Sequence, residues 1–138
     1  MQGNYFGTAP FLISPVAGIG EYADTVTADG SDVGKAVALV KGADAIVLVV
    51  GLTSEGARPA DEAEGHDRTS LLMPYDQDEL VAQVAAAAAL LKLPVAMVVM
   101  SGGPVDVSAA KSDHNVGAIL WCGYPGQSGG TAIADALT

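Results

Sequence analysis

The sequence is poor in several things that would each have pointed to a class of function. It has six Lys and Arg against sixteen Asp and Glu, a formal charge of -10. The basic stripe that nucleic-acid phosphates or anionic headgroups need is missing, so no nucleic acid and no membrane is expected as a partner. Cys122 is the single cysteine, which rules out an intrachain disulfide and a cysteine cage for zinc. It sits in the apolar run Ile-Leu-Trp-Cys at 119–122, the setting of a small core filler rather than a nucleophile. No apolar stretch runs unbroken for the ~20 residues of a membrane span. The best candidate, 81–100, is interrupted by Gln83, Lys92 and Pro94. The start of the chain shows no basic segment followed by an apolar one, so no signal peptide is expected here. Aromatics are few, while half of the 138 residues are apolar and 17 are Gly. That balance suits one α/β layered domain better than a disordered or fibrous chain.

What is present is organised around residues 45–68, AIVLVVGLTSEGARPADEAEGHDR. Six apolar residues, 45–50, have the β-branched character of a buried strand, and Gly51 then opens a long acidic segment. In open α/β sheets ligands collect beyond the carboxyl ends of the strands. A loop leaving this strand with Glu55, Asp61, Glu62, Glu64, His66, Asp67 and Arg68 is therefore the first place to expect chemistry.

In chain order, residues 1–30 are punctuated by Gly and Pro without a sustained period, and read as an irregular segment lying on a larger body. Ser31 or Asp32 offers an N-cap to a short helix whose apolar positions are Val33, Ala36, Val37 and Val40, stopped at Gly42. After the acidic loop, Asp76, Asp78 and Glu79 put negative charge at the start of a second helix, where it favours the dipole. Leu80, Val81, Val84, Ala87, Ala88 and Leu91 form its stripe, and Pro94 ends it. A strand at 95–100, a polar connection, a strand at 116–121 and a helix at 131–137 complete the order. Uninterrupted apolar strands alternating with helices imply a mostly parallel sheet covered by helices on both faces, an α/β sandwich. Three strands are few for such a sheet, so the expected domain is incomplete at both ends.

Four readings of chemistry, and one of plain surface, are weighed from the residues. Glu62 and Glu64, one small residue apart, can supply a carboxyl for acid/base work on a glycosidic bond. The same run of charge also suits a solvated surface loop, with Asp67 and Arg68 as an ion pair or turn cap. Glu62, Glu64, His66 and Asp67 have ligand atoms for a metal but no recognised spacing, so no metal is expected. The glycine-rich turn at 123–130, ahead of a helix, has amides that can hold phosphate, yet it lacks the P-loop ending, and close packing explains its glycines equally well. Ser101 lacks the G-x-S-x-G elbow, and no motif places His66 or His114 beside it.

Taken together, GNYFG at 3–7, EAEGHDR at 62–68, MSGGPVDVS at 100–108 and AILWCGYPGQSGGTAIADAL at 118–137 resemble the C-terminal α/β sandwich domain of glycoside hydrolase family 3, especially its β-xylosidase and β-glucosidase-like members. The resemblance implies residues 1–138 as a single domain excerpted from a two-domain retaining enzyme that needs no cofactor. A barrel domain would supply an Asp nucleophile and the sandwich a Glu acid/base, acting on a β-linked xyloside or glucoside. Glu62, five residues before Asp67, matches the acid/base position, with Glu64 as second candidate. His66, Asp67 and Arg68 would support the substrate loop. One departure is the nine residues TSEGARPAD between Leu52 and Glu62, more than the family pattern has. The alternative is a non-catalytic α/β module that binds a small ligand or partner.

Overall fold

The computed structural model describes residues 1–3, 7–54, 62, 65 and 67–138. Among these residues three parallel strands, β1 (Ile46–Gly51), β2 (Val95–Met100) and β3 (Ala118–Trp121), form a sheet in the order β1-β2-β3. Ile46 pairs with Val95 and Gly51 with Met100, so β1 and β2 end level, and Val99 pairs with Trp121 at the end of β3. The carboxyl ends of all three strands thus lie along one edge. Among the described residues five α-helices accompany them: α1 (Pro15–Ile19), α2 (Val33–Leu39), α3 (Gln77–Leu91), α4 (Ser108–Ser112) and α5 (Gly129–Leu137).

The core follows the two-residue alternation of the strands. Leu48 and Val50 of β1 and Val95, Met97 and Val99 of β2 are buried in one cluster with Leu80, Val81, Val84 and Ala88 of α3 and Ala110 of α4. Val98 points to the other face of the sheet and is also buried, as are Ile133 and Ala134 of α5. An α/β sandwich is therefore the fold class. None of the helices among the described residues is long and apolar enough to cross a membrane.

Local rules account for the boundaries. The Asp32 carboxylate accepts from the Lys35 amide at 3.0 Å and caps α2. Gln77, at the start of α3, accepts from the Gly51 amide at 2.7 Å and donates to the Gly51 carbonyl at 2.9 Å. This ties the helix to the point where the acidic loop leaves β1. Two elements depart from the sequence expectation. The segment 1–30 contains α1, whose Ser14 side chain accepts from the Ala17 amide while Pro15 occupies the first turn, a recognisable start signal that the surrounding glycines obscure. The polar connection contains α4, a single turn and a half without an apolar period of its own.

Candidate functional site

Glu62 is the sequence-predicted residue that the described structure places at the carboxyl edge of the sheet. Its amide donates to the Thr53 carbonyl at 3.2 Å, which brings the far end of the acidic loop back beside the end of β1. Its side chain reaches over β2. There the Gly102 amide donates to Oε1 at 2.7 Å, and the Gly103 amide is shared between Oε2 at 2.8 Å and Oε1 at 3.1 Å. From the turn after β3 the Tyr124 hydroxyl donates to Oε1 at 2.5 Å. Two successive amides facing one carboxylate make an anion-holding concavity, and the phenol closes it.

The glycines are required by this approach. A Cβ on Gly102 would lie 2.8 Å from the Tyr124 ring and 2.9 Å from Glu62 Oε1, and one on Gly103 would overlap Oε2. The turn is braced from below. Ser101, with no exposed surface, donates through Oγ to the Gly103 carbonyl at 2.8 Å and accepts from Trp121 Nε1 at 3.1 Å. The hydroxyl that the sequence left without a partner triad therefore fixes the peptide planes that face Glu62.

Tyr124 is held as firmly. Its ring rests against Gly3, where a Cβ would stand 3.2 Å away, and the Cys122 amide donates to the Val99 carbonyl at 3.1 Å just before it. Burial, and then the neighbouring Glu62 carboxylate, push the Tyr124 phenol well above the usual phenol range. It stays a donor at any pH near neutrality. Cys122 itself is half-buried with its thiol pushed up by burial, the state of an unreactive filler.

The other candidates divide. Glu64 and His66, like Glu55 and Asp61, lie outside the described residues. Asp67 is exposed, and Arg68 donates through Nη2 to the Leu72 carbonyl at 2.6 Å, tying the end of the loop to the approach of α3. The described residues hold no cluster of three metal-ligating side chains. In the 123–130 turn the Gly126 amide donates to Met1, Gly129 to Gly126 and Gly130 to Ile13, so these groups serve the chain itself. Beside Gly102 and Gly103 lies an apolar recess of about 350 Å³ walled by Val105, Val107, Ile119 and Trp121, with Trp121 62 % exposed. Sequence reasoning missed Tyr124 as a site residue; its signal was membership of the GYPGQSGG motif.

Comparison with known proteins gives the family of the chain. The glycosyl hydrolase family 3 C-terminal domain matches residues 1–138. The chain belongs to that family. It is 46 % identical over 146 residues to Beta-D-xylosidase 1 of Arabidopsis thaliana, covering 99 % of this chain and 18 % of that protein. It is 42 % identical over 147 residues to a probable exo-1,4-beta-xylosidase of Aspergillus japonicus, covering 100 % of this chain and 18 % of the relative. Among solved structures it is similar to a family 3 exo-β-xylosidase in complex with a xylobiose aziridine activity-based probe. That match has a TM-score of 0.82 and 37 % identity, and covers 99 % of this chain and 18 % of the other. A family 3 β-glucosidase from Neurospora crassa matches with a TM-score of 0.75 and 26 % identity, over 93 % of this chain and 16 % of the other. The family 3 domain described here thus spans about a fifth of the length of these relatives.

Proposed function

We propose that this domain supplies the general acid/base of a retaining β-glycosidase of β-xylosidase or β-glucosidase type, and that Glu62 is the group. The observation that carries the reading is the Glu62 carboxyl held at the carboxyl edge of the sheet by Gly102, Gly103 and Tyr124. Family membership and the xylosidases among the relatives support a β-linked glycoside as the substrate class. In such a reaction the Glu62 carboxyl gives its proton to the glycosidic oxygen as the C–O bond to the leaving alcohol breaks. A barrel carboxylate meanwhile bonds to the sugar. Water then loses a proton to Glu62 as it displaces that carboxylate. Two carboxyl groups about 5–5.5 Å apart are needed for this chemistry, so the 138 residues alone are inactive.

The same bonds suit a second reading, in which Glu62 is a clamp that pins the acidic loop to the β2 turn and does no proton transfer. One experiment separates the two. In a full-length enzyme carrying these residues in place of the matching segment of a family xylosidase, Glu62→Ala slows poor leaving groups by about 10²–10⁴-fold and leaves activated aryl glycosides much less affected. Equal loss on both substrate types supports the clamp and overturns the acid/base assignment.

A further inference from the structure

The two oxygens of the Glu62 carboxyl are not equivalent. Oε1 receives three donors: the Gly102 amide at 2.7 Å, the Tyr124 hydroxyl at 2.5 Å and a longer contact from the Gly103 amide at 3.1 Å. Oε2 receives one, the Gly103 amide at 2.8 Å. A carboxyl oxygen crowded by donors has no room for a proton of its own, whereas an oxygen with a single partner keeps a lone pair open. We propose that Tyr124 is a positioning residue for the acid/base, its hydroxyl and the Gly102 amide anchoring Oε1 so that Oε2 alone exchanges the proton. The proposal rests on the reading of Glu62 given above.

The geometry explains how the anchor survives both protonation states. When Oε2 carries the proton, the shared Gly103 amide can rest on Oε1, and the Gly102 and Tyr124 bonds are undisturbed. In the first half of the reaction the Oε2–H bond breaks, the proton passes to the glycosidic oxygen and the alcohol departs, with a barrel carboxylate taking its place on the sugar. In the second half a water proton returns to Oε2 as the water oxygen bonds to the sugar and the barrel carboxylate leaves. Tyr124 neither gains nor loses a proton, in keeping with a phenol whose ionisation is pushed well above the usual range. Its Cδ2–Cε2 edge packs closely on Gly3 and Gly102, and the turn that faces it is stiffened by the Ser101 bridge to Gly103. An anchor must itself be immobile to hold an angle.

The test is a double-mutant cycle in the full-length enzyme carrying this domain, with Tyr124→Phe, Glu62→Ala and the pair. Substrates are a dinitrophenyl glycoside and a glycoside with a poor alkyl or phenyl leaving group. Tyr124→Phe is expected to lower kcat/KM for the poor leaving group about tenfold and to leave the dinitrophenyl glycoside nearly unchanged. In the Glu62→Ala background the same change is expected to cost nothing further. Equal slowing of both substrates by Tyr124→Phe, or losses that multiply in the pair, overturns the positioning role while leaving Glu62 as the acid. If Glu62→Ala itself shows no leaving-group dependence, the acid/base reading fails and the positioning role fails with it. Should Tyr124→Phe not fold, Gly102→Ala, whose methyl would wedge between phenol and carboxylate, is expected to show the same selective loss.

Discussion

Two glycine pairs follow strands in this fold, and they do different work. Gly102 and Gly103 follow β2 and turn their amides toward a side chain from 40 and 41 residues away. Gly129 and Gly130 open α5 after β3. There a Cβ on Gly130 would overlap the Ser14 carbonyl, and one on Gly18 of α1 would overlap the Gly130 carbonyl. The first pair makes room for a carboxylate; in the second, Gly130 lets two backbones touch, while Gly129 faces the Pro125 and Met1 side chains. The difference is what faces the missing Cβ. A flexible carboxylate can withdraw from an intruding methyl, whereas a helix backbone cannot.

That contrast predicts opposite responses to the same substitution. The largest effect belongs to Gly130→Ala, expected to destabilise the domain by about 3 kcal/mol. It should show as a lower thermal midpoint of the full-length enzyme, with the leaving-group dependence of the surviving folded fraction unchanged. A midpoint within a degree of wild type would remove the backbone-contact account of α1 and α5. Gly103→Ala is expected to cost less, about 1–2 kcal/mol, because Glu62 can swing aside at the loss of its bonds to the turn. Its loss appears instead in turnover of poor leaving groups, and a larger stability loss than Gly130→Ala would erase the distinction.

A subtler effect sharpens the carboxylate side of the comparison. Because the folded-state ionisation of Tyr124 is raised by burial and by Glu62, the folded state keeps this proton where the unfolded chain has lost it. The stability associated with it is therefore complete below the ordinary phenol range near pH 10 and declines as pH rises beyond it. Difference titration of phenolate absorbance, wild type against Tyr124→Phe, isolates this group from Tyr22, whose bond to Asp135 also raises its ionisation. Glu62→Gln should bring the Tyr124 ionisation part of the way down, since the burial contribution remains. No movement would mean that the carboxylate and the phenol do not meet in solution. The smallest effect is expected for phosphate. Added inorganic phosphate should leave the thermal midpoint where it is, since the Gly126, Gly129 and Gly130 amides are committed to Met1, Gly126 and Ile13.

The strands were legible because β-branched runs at 46–50 and 95–99 have no competing period, and α2 and α3 because cap and stripe agree. The short helices were not. α1 has five residues and α4 five, too few to show a helical period, and only the Ser14-Pro15 start betrays the first. At the site, Glu62 was legible through its spacing to Asp67 and Arg68 within a family pattern. Its partners were not, because Tyr124 lies 62 residues further on and only the parallel register of β1, β2 and β3 brings the two together. The glycine turns could not be told apart by sequence: both read as Gly-Gly after a strand, and their meaning depends on what packs against them.

The assignment of Glu62 is tested most directly by chemical rescue. Once an activated substrate has formed the glycosyl-enzyme, an enzyme without its general base turns over slowly, and azide, which needs no base to attack, should restore the rate and release a glycosyl azide of retained configuration. In the full-length enzyme carrying this domain, Glu62→Ala is predicted to show that rescue and Glu64→Ala to show none. Rescue of Glu64→Ala alone would move the acid/base two residues along the loop and contradict the account; rescue of neither would take the role from both glutamates and contradict it as well.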